Sequence, residues 1–164
     1  MDNTPKRKII SPGLIKKCSF SEARFYVDCM ASKPRSEYEK LIDGLATLCQ
    51  SFFGNLDQVQ QSGIWMLYQE FAKNSISNGP EIGERIAKIG QIENLLLFGF
   101  GDNGEYYRRE EIKKLWEGGQ NIPSTKGRFI NMGGGLQDAL GFFPYIFIDT
   151  STAIFYAGKE SDKS

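Results

Sequence analysis

From residue 19 to residue 98 the apolar side chains recur mostly at the spacing of a helical face. Beyond residue 128 they come in short runs rich in Ile, Phe and Tyr, which suits strands. Ser19 and Glu22 make an S-x-x-E capping box. The box predicts a first helix carrying Ala23, Tyr26, Val27 and Met30 on one side. Pro34 opens a second helix, Ser36 and Glu39 repeat the box, and Gly54 closes it. Its stripe is Leu41, Leu45, Leu48 and Phe52. A third helix, capped by Asn55 or Asp57, carries Val59, Ile64, Leu67, Tyr68 and Phe71 and ends in NSISNG. Gly79-Pro80 begins a fourth, whose Ile82, Ile86, Ile89, Ile92 and Leu96 step by four, three, three and four.

The chain turns at GFGDNG, residues 99–104, where glycines permit backbone conformations closed to other residues. Residues 95–110 also admit a second reading. Asn103-Gly104 suits a two-residue hairpin turn with LLLFGF and EYYRRE as its arms. EYYRREEIKKLW otherwise reads as a short helix stopped by Gly118. RFINM is a candidate strand. FFPYIFI and TAIFYA, joined through Asp149-Thr150-Ser151, predict a β-hairpin, with Pro144 at an edge or a bulge. The expected fold is α+β: an N-terminal bundle of four to five helices, then a small antiparallel sheet or hairpin at the C-terminal end. Residues 1–18 read as a basic flexible arm, 19–158 as one globular domain and 159–164 as a polar tail.

Composition narrows the chemistry. The 164 residues contain no histidine, which removes Ser-His-Asp and Cys-His catalysis and nearly all zinc sites other than four-Cys ones. Three cysteines, Cys18, Cys29 and Cys49, cannot form a four-Cys site within one chain, and none lies in a CxxC. Buried thiols in a reducing, cytoplasmic setting are the simplest expectation. Formal charge is zero, which argues against a surface built wholly for nucleic acid but leaves room for a basic patch. No run reaches the ~18 apolar residues of a membrane span. No apolar segment follows the basic N-terminus, so a secretory signal is not expected.

Several short motifs fail in context. Gly99, Gly101 and Gly104 fit G-x-G-x-x-G, but Asp102 and Glu105 would repel a pyrophosphate. A calcium loop counted from Asp102 places Gly104, Tyr107 and Lys113 where ligand, glycine and ligand belong. Asp102 with Glu111-Ile112-Lys113 imitates a metal-dependent nuclease pattern, yet its E-x-K lies in a helical stretch where i and i+2 diverge. No catalytic, cofactor or metal residue is therefore assigned. An enzyme relying on carboxylates such as Asp102 and Glu111 ranks third among the functions considered.

Two surfaces remain. Lys6, Arg7 and Lys8, with Arg108, Arg109, Lys113, Lys114, Lys126 and Arg128, could contact phosphates, with Tyr106 and Tyr107 available for stacking. Glu105, Glu110, Glu111 and Glu117 on the same stretch favour a solvated charged face instead. Pro5-Lys6-Arg7-Lys8 also resembles a short nuclear-import signal. Phe142, Phe143, Tyr145, Phe147, Phe155 and Tyr156 crowd the C-terminal strands, more aromatics than one core-facing side holds, and suggest a protein interface. The leading expectation is a non-enzymatic interaction or assembly protein: a small regulator, an immunity-type inhibitor or a virion subunit. It would act through those strands and the 99–104 turn, with a protein partner or with itself. The alternative is an RNA- or DNA-binding, nucleocapsid-like subunit.

Overall fold

The computed structural model describes residues 7–55, 57, 59, 63–118 and 135–161. A six-stranded sheet dominates it, with helices packed mainly on one side. The strands are β1 (Lys8–Ile9), β2 (Phe20–Asp28), β3 (Ile82–Ile92), β4 (Leu95–Gly101), β5 (Tyr145–Asp149) and β6 (Ile154–Glu160). The helices are α1 (Pro12–Lys17), α2 (Pro34–Phe53), α3 (Ile64–Asn78), α4 (Glu110–Glu117) and α5 (Gly135–Leu140), with a 3-10 turn at Tyr106–Arg108. The strand order is β1-β5-β6-β4-β3-β2. Only the β1–β5 pair is parallel.

This corrects the expectation of an N-terminal helical bundle followed by a small hairpin. The predicted first helix is β2, and the predicted fourth is the β3–β4 hairpin. In β2 the side chains alternate: Ala23, Phe25 and Val27 face the helices, while Glu22, Arg24 and Tyr26 lie on the far side. In β3, Ala87 and Ile89 join the main core, whereas Ile86 and Ile92 pack in a second cluster on the opposite face. Isoleucines from two faces thus merge into one apparent helical stripe, although their β-branched side chains suit a strand. Glu93-Asn94 turns the hairpin, with Glu93 at φ 54°. LLLFGF is therefore a strand, as the hairpin reading has it, but it pairs with β3. EYYRRE forms the 3-10 turn and the start of α4 rather than a second arm.

Other predicted helices and strands form, although the S-x-x-E at Ser36 lies inside α2, which is capped at Lys33 without a side-chain bond. α2 starts at Pro34 and ends on Gly54, whose φ of 77° suits a residue without Cβ. α4 stops at Gly118. β5 and β6 pair as a hairpin. α3 starts at Ile64 after Gly63, whose φ is 78°, and not from a cap at Asn55 or Asp57, and it continues through NSIS to Asn78 instead of dissolving there. RFINM lies outside the described residues. From Lys8, the stretch read as a flexible arm supplies β1 and α1.

The main core lies between the sheet and α2 and α3. Leu41, Leu45 and Cys49 of α2 meet Leu67, Tyr68, Phe71 and Ile76 of α3 above Phe98, Phe100 and Phe155. Phe71 stacks on Phe100 (5.7 Å) and meets Phe155 edge-on (5.3 Å). Such ring pairs contribute about 0.5–1.5 kcal/mol each beyond their burial. On the far face α1 covers a smaller cluster of Ile10, Cys18, Leu97, Ile154 and Tyr156. No helix among the described residues is long and apolar enough to cross a membrane.

Candidate functional site

A sheet presents unpaired amides and carbonyls at its two edges, and these must be covered, charged or used. The β5 edge is covered. Lys8 N donates to Pro144 O (2.8 Å) and Ile10 N to Ile146 O (2.9 Å). The chain then leaves for α1, and the next outward groups belong to Ile148. Ile148 N donates to Glu117 Oε2 (3.1 Å), and Lys113 Nζ donates to Ile148 O (2.6 Å). Lys113 and Glu117 also pair with each other (2.6 Å), and Lys113 Nζ lies 4.0 Å from the Phe147 ring centre. An i, i+4 ion pair of α4 thus continues the ladder where β1 stops.

The β2 edge is different. Cys29 N donates to Glu81 O (2.7 Å), so the odd-numbered residues of β2 direct their backbone groups toward β3. Phe20, Glu22, Arg24, Tyr26 and Asp28 then direct theirs outward. Asp28 N donates to Oε1 of Glu37, a buried residue whose other oxygen meets Lys40 Nζ at 3.2 Å. That side chain closes only the Asp28 end. Among the described residues no strand lies beyond β2. Glu22, Arg24 and Tyr26 are exposed.

Three of the five large exposed apolar side chains among the described residues lie beside this edge, the others being Ile9 of β1 and Phe142. Tyr26 (66% exposed) and Ile82 (47%) lie diagonally across the β2–β3 ladder. Met30 (69%) follows in the turn where the Asp28 carboxylate accepts the Met30 and Ala31 amides. Charge alternates alongside them. Arg24 pairs with Glu22 (3.1 Å) and Glu84 (2.5 Å), and Lys88 approaches Glu22 (3.7 Å).

A buried polar cluster anchors the same end of the β2–β3 ladder from the helical face. Arg85 is fully buried. Its Nε donates to Ser75 Oγ (2.7 Å), and its Nη2 donates to Ser75 O (3.0 Å) and Pro80 O (2.6 Å). The cation therefore sits at the C-terminal, negative end of α3. Asp102 is buried nearby and accepts the Gly104 amide (2.9 Å). Burial lifts its carboxyl above the ordinary value, against the opposing effects of the Gly104 amide and the Arg85 charge. With the side chain of Asp102 turned inward, the GFGDNG segment is a strand end and a packed turn.

The chain matches no known protein family and no curated protein.

The residues proposed from sequence fall in several places. Arg7 donates to Leu140 O (2.7 Å), and Lys8 lies over the Tyr145 ring. Arg108 donates to Ser151 O (2.7 Å) and Asn103 Oδ1 (2.5 Å). Arg109 pairs with Glu111, and Lys113 belongs to the β5 edge. Lys114 is exposed. Lys6, Lys126 and Arg128 lie outside the described residues. Of the aromatics, Phe143, Phe155 and Tyr156 are buried, Tyr145 and Phe147 are half-buried on the far face, and Phe142 is exposed (58%). Tyr145 OH meets Glu160 Oε1 at 3.2 Å. Glu22, Arg24 and Tyr26 carry no assignment from sequence, because a helix over residues 19–30 has no open edge. The Phe25-Tyr26-Val27 run was the available signal for a strand.

Proposed function

We propose that this chain is a protein-interaction module that takes an extended strand of a partner protein along the outer edge of β2. The observation that carries the reading is the contrast between the two edges. One is closed by β1 and the Lys113–Glu117 pair, while the other offers the backbone groups of Glu22, Arg24 and Tyr26 beside exposed Tyr26, Ile82 and Met30. Added strands gain affinity from main-chain hydrogen bonds and specificity from alternate side chains. The reading keeps the expected class, binding rather than bond-making, and moves the surface from the C-terminal aromatic strands to β2.

A photo-crosslinking residue at position 26 tests it, with position 43 on the exposed side of α2 as control. Crosslinks are expected at 26 and not at 43. Arg24→Pro should abolish them, since proline removes an outward amide that no described residue accepts, and edge strands tolerate it. Crosslinks at 26 that survive Arg24→Pro, or none at 26, would refute the reading.

A further inference from the structure

We infer that the strand received by β2 is β2 of a second copy, paired antiparallel about a two-fold axis through Ala23. This rests on the strand-docking reading and specifies its partner.

A two-fold axis normal to the sheet leaves few registers. Outward residues must face outward residues, so each alignment centres on one β2 position. Centred on Glu22 or on Arg24, it opposes each residue to its own copy, carboxylate to carboxylate or guanidinium to guanidinium. Centred on Phe25, it opposes Glu22 to Asp28, and the Asp28 amide is already taken by Glu37. Centred on Ala23, it opposes Glu22 to Arg24 of the other copy twice and Phe20 to Tyr26 of the other copy twice. Opposite charges and aromatic pairs directly across a ladder are both stabilising.

The surroundings agree. Glu22 lies beside Lys88, and Arg24 beside Glu84. Pairing at Ala23 would place each charge between two of opposite sign. The half-buried Phe20 ring, already 5.8 Å from Tyr156, would gain the exposed Tyr26 ring of the other copy. The Glu37 cap ends the open stretch at Tyr26, so the pairing runs from Phe20 to Tyr26 and stops. Both helical layers would lie on the same side of one continuous sheet, and neither β2 would retain an open edge.

The register makes a prediction that a general edge contact does not. Glu22→Arg gives a chain with two cations on the edge, and Arg24→Glu gives one with two carboxylates. Each alone must oppose like charges in its own dimer, while the two mixed restore every pair. Sedimentation velocity on the 164-residue chain is expected to show a wild-type dimer. Each single variant should self-associate about 10- to 100-fold more weakly. An equimolar mixture should regain the dimer. Thermal melts of each variant separate lost pairing from lost folding. A wild type monomeric at every concentration overturns the self-pairing, and a crosslink from position 26 to a different protein would then leave strand docking standing. A dimer unaffected by either variant, or variants that do not recover on mixing, overturns the register and the self-pairing with it.

Discussion

Arg85 offers the sharpest test of how the sheet is held to α3. Arg85→Met keeps most of the buried aliphatic volume and removes the guanidinium. Ser75 O retains the Gly79 amide (2.8 Å), but Ser75 Oγ and Pro80 O each lose a charged donor. Asp102 loses the nearest cation that favours its ionised form. A charge-assisted hydrogen bond contributes about 1.5–3 kcal/mol, and breaking a buried charge cluster costs about 3–5 kcal/mol. The expected loss is therefore about 4 kcal/mol, a large part of the ~5–15 kcal/mol that holds a domain together. Urea unfolding followed by circular dichroism should show a lower midpoint at unchanged slope. The melting temperature should fall by roughly 8–16 °C. Arg85→Lys keeps the charge but cannot span the same acceptors, so it should fall between wild type and Arg85→Met. A loss below about 0.5 kcal/mol for Arg85→Met, inside the ordinary range of surface substitutions, would show that the cluster does not anchor the strand.

Three further outcomes follow from the packing. Asp102 has a folded-state pKa above its ordinary 3.8, so its contribution favours folding at low pH and is lost as pH rises through the folded value. Asp102→Asn, which keeps an oxygen for the Gly104 amide, should flatten that part of the stability–pH profile and raise stability at neutral pH; an unchanged slope contradicts this. A Cβ at Gly44 would run into the Phe25 ring. Gly44→Ala should therefore lose about 1–2 kcal/mol in urea melts, overpacking exceeding the gain in helix propensity, and a stabilised variant would refute the close approach of α2 to β2. Burial pushes the Cys49 thiol up to about 12. Cys49 should react with a thiol reagent only after unfolding, and rapid labelling of the native chain would contradict its place in the core.

The legible parts of the chain were those whose apolar residues serve one face. α2 buries Leu41, Leu45 and Leu48 on one side and carries its own stop signal in Gly54. The β5–β6 hairpin is dense in aromatic and β-branched residues. β2, β3 and β4 were obscured for a shared reason: the sheet has apolar clusters on both faces, so Ile86 and Ile89, or Leu96 and Leu97, belong to opposite sides. Two interleaved period-two patterns then imitate one helical stripe. The S-x-x-E at Ser19 added a false start signal, since Glu22 lies on the strand and meets Arg24 and Lys88 instead of a helix terminus. Arg85 drew no assignment from sequence, because its acceptors come from the distant Ser75 and from Pro80. The open edge was illegible for the same reason as β2 itself, since a strand's exposure depends on which strand lies beside it.

Residue-by-residue amide exchange on the dilute chain tests the open edge most directly. The amides of Ser21, Ala23, Phe25 and Val27 should be protected, and those of Glu22, Arg24 and Tyr26 should exchange quickly, in strict alternation along β2. Uniform protection of all seven at high dilution would mean that the edge is already filled within the chain, and the proposed docking surface would not exist.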